Sequence, residues 1–264
     1  MGQTIVVTSG KGGVGKTTTT ANLGTALAML NNKVVLIDAD IGLRNLDVVM
    51  GLENRIVYDV VDVAEGRCQL KQALLKDKRF DGLHLLPAAQ TRDKDSLEAE
   101  QMVKICKELE QDFDYILIDC PAGIEQGFKN AIAPASRAVI VTTPEVSAVR
   151  DGDRVIGLLE ASGVGKVNLL INRLKPDMVQ RGDMMDISDI VDILSIDLLG
   201  VIPDEEKIIV STNKGEPVVM DHSCRASTGY KNIAHRVMGK KVPLMPLENE
   251  STFRKILKKM GLSS

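Results

Sequence analysis

The sequence predicts an α/β domain with a mostly parallel β-sheet and helices on both faces. Short β-branched runs alternate along the chain with longer amphipathic stretches, and these runs are apolar almost throughout. Strands of that kind are buried on both faces, as in a parallel sheet whose crossover connections are helices. With 264 residues, 44% of them hydrophobic and 26% charged, the chain is most simply one domain with a full core.

The elements can be placed in chain order from the apolar runs and the helical periodicity. The expected strands cover residues 5–7, 34–37, 83–87, 115–118, 138–141, 167–171 and 198–202. The expected helices cover residues 19–30, 97–109, 146–161, 187–194, 204–213 and 226–238. Ligands of such sheets bind at the carboxyl ends of the strands, so site residues are expected in the loops that follow them.

A glycine-rich loop follows the first strand, and a helix starts near Lys16. The loop fits the P-loop pattern, in which two glycines five positions apart precede Lys and Ser/Thr. Backbone N–H groups of such a loop, together with the helix dipole, bind phosphate oxygens. We therefore predict nucleotide binding, with Lys16 on the β- and γ-phosphates and the Thr17 hydroxyl on Mg²⁺. The predicted loop residues are Gly10, Lys11, Gly12, Gly13, Val14, Gly15, Lys16, Thr17 and Thr18.

Acidic residues follow two other strands. Asp38 and Asp40 follow the second strand, and they lie beside the P-loop if the first two strands are neighbours. A carboxylate there can hold Mg²⁺ or position the attacking water. Asp119 ends the apolar run 115–118 in a Walker B pattern and is expected to contact Mg²⁺ through a water. For Asp38, capping of its own loop is an equally good interpretation.

Lys11 stands at the front of the loop, where an ordinary P-loop needs no cation. The form Lys-Gly-Gly-x-Gly-Lys-Thr-Thr resembles the deviant Walker A ATPases of the ParA/MinD family. The resemblance extends along the whole chain through residues 38–47, 87–94 and 119–123, the helix that follows Pro144, and the basic C-terminus. Within the family, the segments 40–47 and 87–94 are most similar to the cell-division branch.

The resemblance implies a role for several residues. It implies that Lys11 crosses a dimer interface to the partner's nucleotide, that Lys11 and Lys16 act in catalysis, and that Asp40 positions or activates the water. The adenine base would be lined by Asn172, Pro203 and Asp204, and an Asn amide can indeed both donate to and accept from a base.

The resemblance also implies a partner site on the helix that follows Pro144. The implied residues are Glu145, Ser147, Arg150, Asp151 and Asp153. Considered without the resemblance, such a dense set of charges is more often a solvated helix face.

The chain ends in a short basic amphipathic segment behind a linker with two prolines. We expect an ATPase domain over residues 1–238, a linker over 239–250 and a membrane-targeting tail over 251–264. An apolar helical stripe flanked by cations is typical of an interfacial membrane anchor. Packing on the domain and docking on a partner protein are the alternatives. The stripe is Phe253, Ile256, Leu257 and Met260, and the cations are Arg254, Lys255, Lys258 and Lys259.

Together with the resemblance, these features predict an ATPase that uses ATP and Mg²⁺ and forms a homodimer with ATP. It would lie in the cytoplasm and peripherally on the inner face of the cell membrane, bound to anionic lipids. The resemblance implies that it recruits a MinC-like division inhibitor there and responds to MinE or another topological factor.

Composition weakens the other classes of function. A ParA-type partition ATPase is the main alternative, but a net charge of −3 and an aromatic content of 3% argue against a nucleic-acid surface. The four cysteines are far apart, which gives no support to an iron–sulfur or zinc protein. Nothing in the sequence indicates the second substrate pocket of a metabolic enzyme. The N-terminus enters a strand directly, so no signal peptide is expected.

Overall fold

The computed structural model describes residues 2–93 and 96–246. Its described part contains an eight-stranded sheet in the order β3-β4-β2-β5-β1-β6-β7-β8. All neighbouring strands are parallel except β3 and β4, which are antiparallel. The strands are β1 (Gln3–Thr8), β2 (Val34–Asp38), β3 (Leu75–Lys76), β4 (Leu83–Leu86), β5 (Tyr115–Asp119), β6 (Arg137–Thr142), β7 (Lys166–Leu174) and β8 (Asp197–Pro203).

Helices cover both faces of the sheet, which confirms the predicted fold class. Alternate residues of one strand belong to opposite core layers: Val6 packs in one layer, whereas Ile5 and Val7 pack in the other. The helices are α1 (Lys16–Met29), α2 (Leu46–Met50), α3 (Val60–Ala64), α4 (Leu70–Ala73), α5 (Ala99–Leu109), α6 (Gln126–Ile132), α7 (Val146–Ala161), α8 (Pro176–Gln180), α9 (Ile187–Leu194), α10 (Glu206–Asn213) and α11 (Arg225–Val237). None of the described helices is long and apolar enough to span a membrane.

The long elements lie close to their predicted positions, and α7 and α9 have the predicted bounds. The helix α1 begins at Lys16 rather than at residue 19, so the last residues of the P-loop pattern form its first turn. The short helices α2, α3, α4, α6 and α8 were not predicted from the sequence. At four to seven residues they are too short to display a helical period.

The strand order corrects one expectation. The first two strands, β1 and β2, are not neighbours, because β5 lies between them and pairs with both. Asp38 is consequently the register partner of Asp119, which places two carboxylates side by side at the carboxyl edge of the sheet.

The described residues end at 246, within the predicted linker. The predicted membrane residues, from Phe253 to Met260, therefore lie outside the described residues. The proposed domain boundaries at 238 and 250 stay predictions.

Candidate nucleotide-binding site

The P-loop joins β1 to α1 at the carboxyl edge of the sheet. Gly15 has φ +99°, a left-handed conformation that favours glycine, and it precedes α1 without any side-chain cap. A Cβ at this position would collide with the amide of Asn172, whose Nδ2 donates to the Val14 carbonyl oxygen at 2.8 Å. The first N–H groups of α1 carry no side-chain cap, which is the arrangement that binds a phosphate.

Lys16 is buried under the loop. Its Nζ donates to Ser9 Oγ at 3.1 Å, and Ser9 Oγ donates in turn to the Lys11 carbonyl oxygen at 2.7 Å. The residue is only 8% exposed. A buried ammonium group is costly unless it has anionic partners, so phosphate oxygens at this loop would complete its environment.

The two predicted Mg²⁺ residues lie together. The Asp119 carboxylate accepts hydrogen bonds from the hydroxyls of Thr17 and Thr20, the latter at 3.3 Å. Burial raises the pKa of Asp119, and the neighbouring Asp38 charge raises it further; the two hydroxyls and the Lys16 charge act in the opposite direction. A divalent cation beside this carboxylate would relieve the burial cost, so these residues fit Mg²⁺.

Asp38 caps its own loop. Its Oδ1 accepts from the Asp40 backbone N–H at 3.0 Å, and its Oδ2 accepts from those of Asn45 and Leu46 at 3.2 and 3.1 Å. Burial raises its pKa, and the backbone hydrogen bonds offset part of this effect. Of the two interpretations of Asp38, these contacts favour loop capping. The contact with the N–H group of Asp40 also fixes the backbone of this residue, which is only partly exposed.

Replacing Asp119 with asparagine should flatten the pH dependence of stability of the nucleotide- and metal-free protein. Folding raises the carboxyl pKa, because the group is buried and lies beside the Asp38 charge, so between the unfolded and folded pKa values the folded state keeps a proton that the unfolded state has lost. The free energy of unfolding of the wild type should therefore fall by about a few kcal/mol as the pH rises through that range. Asp38 should lower the free energy of unfolding with rising pH in the same way, because burial also raises its pKa.

Urea unfolding at several pH values tests this. A pH dependence of the asparagine variant as steep as that of the wild type would contradict it. Asp81→Asn is the control: the Asp81 side chain is 99% exposed and Lys76 lowers its pKa, so its removal should leave the fall in stability at higher pH in place.

The start of α7 packs against the P-loop. A Cβ on Gly10 would collide with the Asp151 backbone. Lys11 Nζ donates to Ser147 Oγ at 3.0 Å and lies 3.4 Å from Glu145 Oε2 of the same chain. Lys11 thus contacts two of the predicted partner residues, and Asp151 lies beside the same loop. The other two, Arg150 and Asp153, are exposed on the outer face of α7.

A cleft of about 1190 Å³ opens beside the loop. Gly15, Asn172 and Asp204 are among its lining residues. Asn172 Oδ1 is buried and has no hydrogen-bond partner within the described part of the chain. Asp204 forms an ion pair with Lys175 at 3.2 Å. Pro203 is buried at the end of β8.

Two residues of the site were not predicted from the sequence. Ser9 accepts a hydrogen bond from the Lys16 ammonium, and Thr20 donates one to the Asp119 carboxylate. Ser9 directly precedes the P-loop pattern, and Thr20 lies one helical turn after Lys16. The position of Thr20 is predictable, because residues four apart share a helix face, whereas no local periodicity links Ser9 to Lys16.

Comparisons with known proteins agree with this geometry. The nucleotide-binding domain family CobQ/CobB/MinD/ParA matches residues 5–218. The septum site-determining protein MinD of Bacillus subtilis is 58% identical over 268 residues, which is 100% of each chain.

Two solved structures are similar along nearly their whole length. The MinC:MinD cell division protein complex of Aquifex aeolicus gives a TM-score of 0.87 and 53% identity over 92% of this chain and 98% of that chain. The septum site-determining protein MinD of Pyrococcus horikoshii, complexed with Mg-ADP, gives a TM-score of 0.83 and 29% identity over 92% of this chain and 100% of that chain.

These matches confirm the resemblance that the P-loop and its flanking segments indicated, and they do not support the partition-ATPase alternative. The predicted P-loop ATPase class is confirmed with them. The chain belongs to the MinD family of septum site-determining ATPases, within the CobQ/CobB/MinD/ParA nucleotide-binding domains.

Proposed function

We propose that this chain places the division septum by cycling between a cytoplasmic form and an ATP-bound dimer on the inner face of the cell membrane. The observation that carries the proposal is the convergence of Lys16, Thr17 and Asp119 at the uncapped start of α1. A nucleotide bound at such a site can control which surfaces of the protein are free to contact a second copy, another protein or the membrane.

ATP and Mg²⁺ fit the residues present. Residues 10–18 would bind the phosphates, with the Lys16 ammonium among their oxygens, while Thr17 and Asp119 would hold Mg²⁺. The unpaired Asn172 Oδ1 would accept from an adenine amino group, with Pro203 and Asp204 beside the base. The Pyrococcus relative is complexed with Mg-ADP. Mg²⁺ would neutralise phosphate charge, and Asp40 would orient the attacking water as a general base.

Lys11 would connect nucleotide binding to dimerisation. Its contacts with Glu145 and Ser147 are partly exposed, and an ion pair of that kind contributes only about 0–1 kcal/mol. A triphosphate in a partner's P-loop would compete effectively for this lysine. Dimerisation would then release the start of α7.

That release would favour binding of a MinC-like division inhibitor. The Aquifex relative is solved as a MinC:MinD complex. Glu145 and Ser147 would become available beside the exposed Arg150 and Asp153, with Asp151 at the edge of the same surface. MinE or another topological factor would act on the same assembly.

Membrane attachment would come from residues 251–264. Each cation near an anionic surface contributes about 1 kcal/mol, and partial burial of the apolar stripe adds about a few kcal/mol. Ordering the segment offsets part of that gain. One tail would therefore bind weakly, whereas two tails on one dimer would bind roughly 10²–10⁴-fold more tightly.

Sedimentation with anionic liposomes tests the proposal. We expect strong binding with ATP and Mg²⁺ and weak binding with ADP or without nucleotide, because only the dimer presents two tails. Lys11→Ala should lose the ATP-dependent gain, and Leu257→Glu should lose binding in every nucleotide state. Leu262→Glu is the control outside the stripe. Equal binding with ATP and ADP would overturn the nucleotide control.

A further inference from the structure

The described part of the predicted linker is held against α11. We call residues 240–246 the strap. Arg236 donates from Nε to the Val242 carbonyl oxygen at 3.0 Å and from Nη2 to that of Pro243 at 2.8 Å. Arg225 Nη2 donates to the Pro246 carbonyl oxygen at 2.6 Å. The strap therefore runs back from the end of α11 to its start.

The middle of the strap lies close to an apolar groove of about 600 Å³ that is lined by residues of β7, α8, α9 and β8. Leu244 and Met245 of the strap line a small cavity together with Ile187, and Ile187 also lines the groove. The apolar lining residues of the groove are Leu174, Pro176, Val179, Ile187, Val191 and Leu198.

The surroundings of the groove are acidic. Asp186 and Asp192 line it directly. Residues 176–194 contain five aspartates and a single cation, Arg181, which is paired with Asp183 at 2.9 Å. Residues 251–264 have the opposite pattern, with four cations, no acid and an apolar stripe. The two segments of one chain are thus complementary in both charge and hydrophobicity.

The length of chain between the strap and the apolar stripe sets how far the tail can reach. Phe253 follows Pro246 by seven residues, which can span about 23–25 Å when extended. The stripe over residues 253–260 would be about 12 Å long as a helix. Because the strap already reaches Ile187 on the groove wall, the tail need not cross the molecule.

We propose that residues 253–260 dock in this groove when the protein is not on a membrane, so that the domain and the lipid surface compete for the same apolar stripe. The biological purpose of this docking rests on the proposed membrane-binding role, but the docking itself does not. Docking would cover the apolar stripe in the cytoplasm and would weaken membrane binding by single protomers.

Hydrogen exchange on the full chain, without lipid or nucleotide, tests the docking. Leu257→Glu should increase amide exchange several-fold in residues 176–194, because a charge on the stripe opposes its burial. Leu262→Glu is the matched control and should leave that exchange unchanged. Identical exchange in the wild type and in Leu257→Glu would overturn the proposal. Protection that depends on protein concentration would also overturn it, since a second copy would then fill the groove.

Groove variants give an independent readout that separates this proposal from the proposed function. Val191→Lys and Asp192→Lys should release the tail and increase nucleotide-free binding to anionic vesicles several-fold. Ile193→Lys is the control, because Ile193 is exposed on the same helix but does not line the groove. If no form bound vesicles, the membrane role would fail while the exchange result would still decide the docking. Vesicle binding unchanged by both groove variants would overturn the docking.

Discussion

Lys16→Ala should reduce ATP affinity by about 10²–10⁴-fold and abolish measurable hydrolysis. Hydrogen bonds to charged groups contribute about 1.5–3 kcal/mol each, and the Lys16 ammonium is proposed to contact two phosphates. Since each 1.4 kcal/mol is tenfold in affinity, removing both contacts gives this range. Water cannot readily replace the ammonium group, because the residue is only 8% exposed. Calorimetric titration with ATP and Mg²⁺ measures the affinity directly.

The fold should survive this substitution. Lys16 donates to Ser9, an uncharged partner, and the buried Asp119 carboxylate keeps its hydrogen bonds from Thr17 and Thr20 when the lysine is removed. Lys71→Ala is the matched control, since the Lys71 side chain is 79% exposed on α4. A Lys16→Ala protein that bound ATP within a few-fold of the wild type would show that the phosphates lie elsewhere. Far-ultraviolet circular dichroism of both variants would distinguish lost binding from lost structure.

Features coded by neighbouring residues were predictable from the sequence. The P-loop is a contiguous pattern, and each long strand carries its own apolar run. Asp119 and Asp40 could be located because each follows such a run. The pattern therefore identified which residues lie at the carboxyl edge of the sheet, without any knowledge of the strand order.

Contacts between distant parts of the chain could not be predicted in this way. Asn172 donates to the Val14 carbonyl oxygen across 158 positions, and Lys11 reaches Glu145 across 134. Both contacts require β6 and β7 to follow β1 in the sheet, so that the residues after these strands lie next to the P-loop. No local pattern specifies that strand order. Capping of its own loop by Asp38 was one of two interpretations that the sequence allowed, and the path of the loop decides between them, because the partners are backbone N–H groups.

Asp40→Ala should retain ATP and the dimer while hydrolysis falls by about 10²–10⁴-fold, the usual contribution of a general base. The loop should keep its path, because Asp38 is bonded to the backbone N–H of residue 40 rather than to its side chain. The P-loop and the residues proposed to hold Mg²⁺ are unchanged by the substitution. Single-turnover phosphate release measures the chemistry, and light scattering with ATP measures the dimer.

The combination of outcomes distinguishes a catalytic role of Asp40 from a structural one. Loss of turnover with an intact ATP-bound dimer identifies a group that acts on the water. On liposomes, this variant should stay bound with ATP for much longer than the wild type, since hydrolysis is the proposed route of release. Asp81→Ala, at a side chain that is 99% exposed, should behave as the wild type. A monomeric, ATP-free Asp40→Ala protein would instead mean that Asp40 shapes the nucleotide site, and the water-positioning role would be wrong.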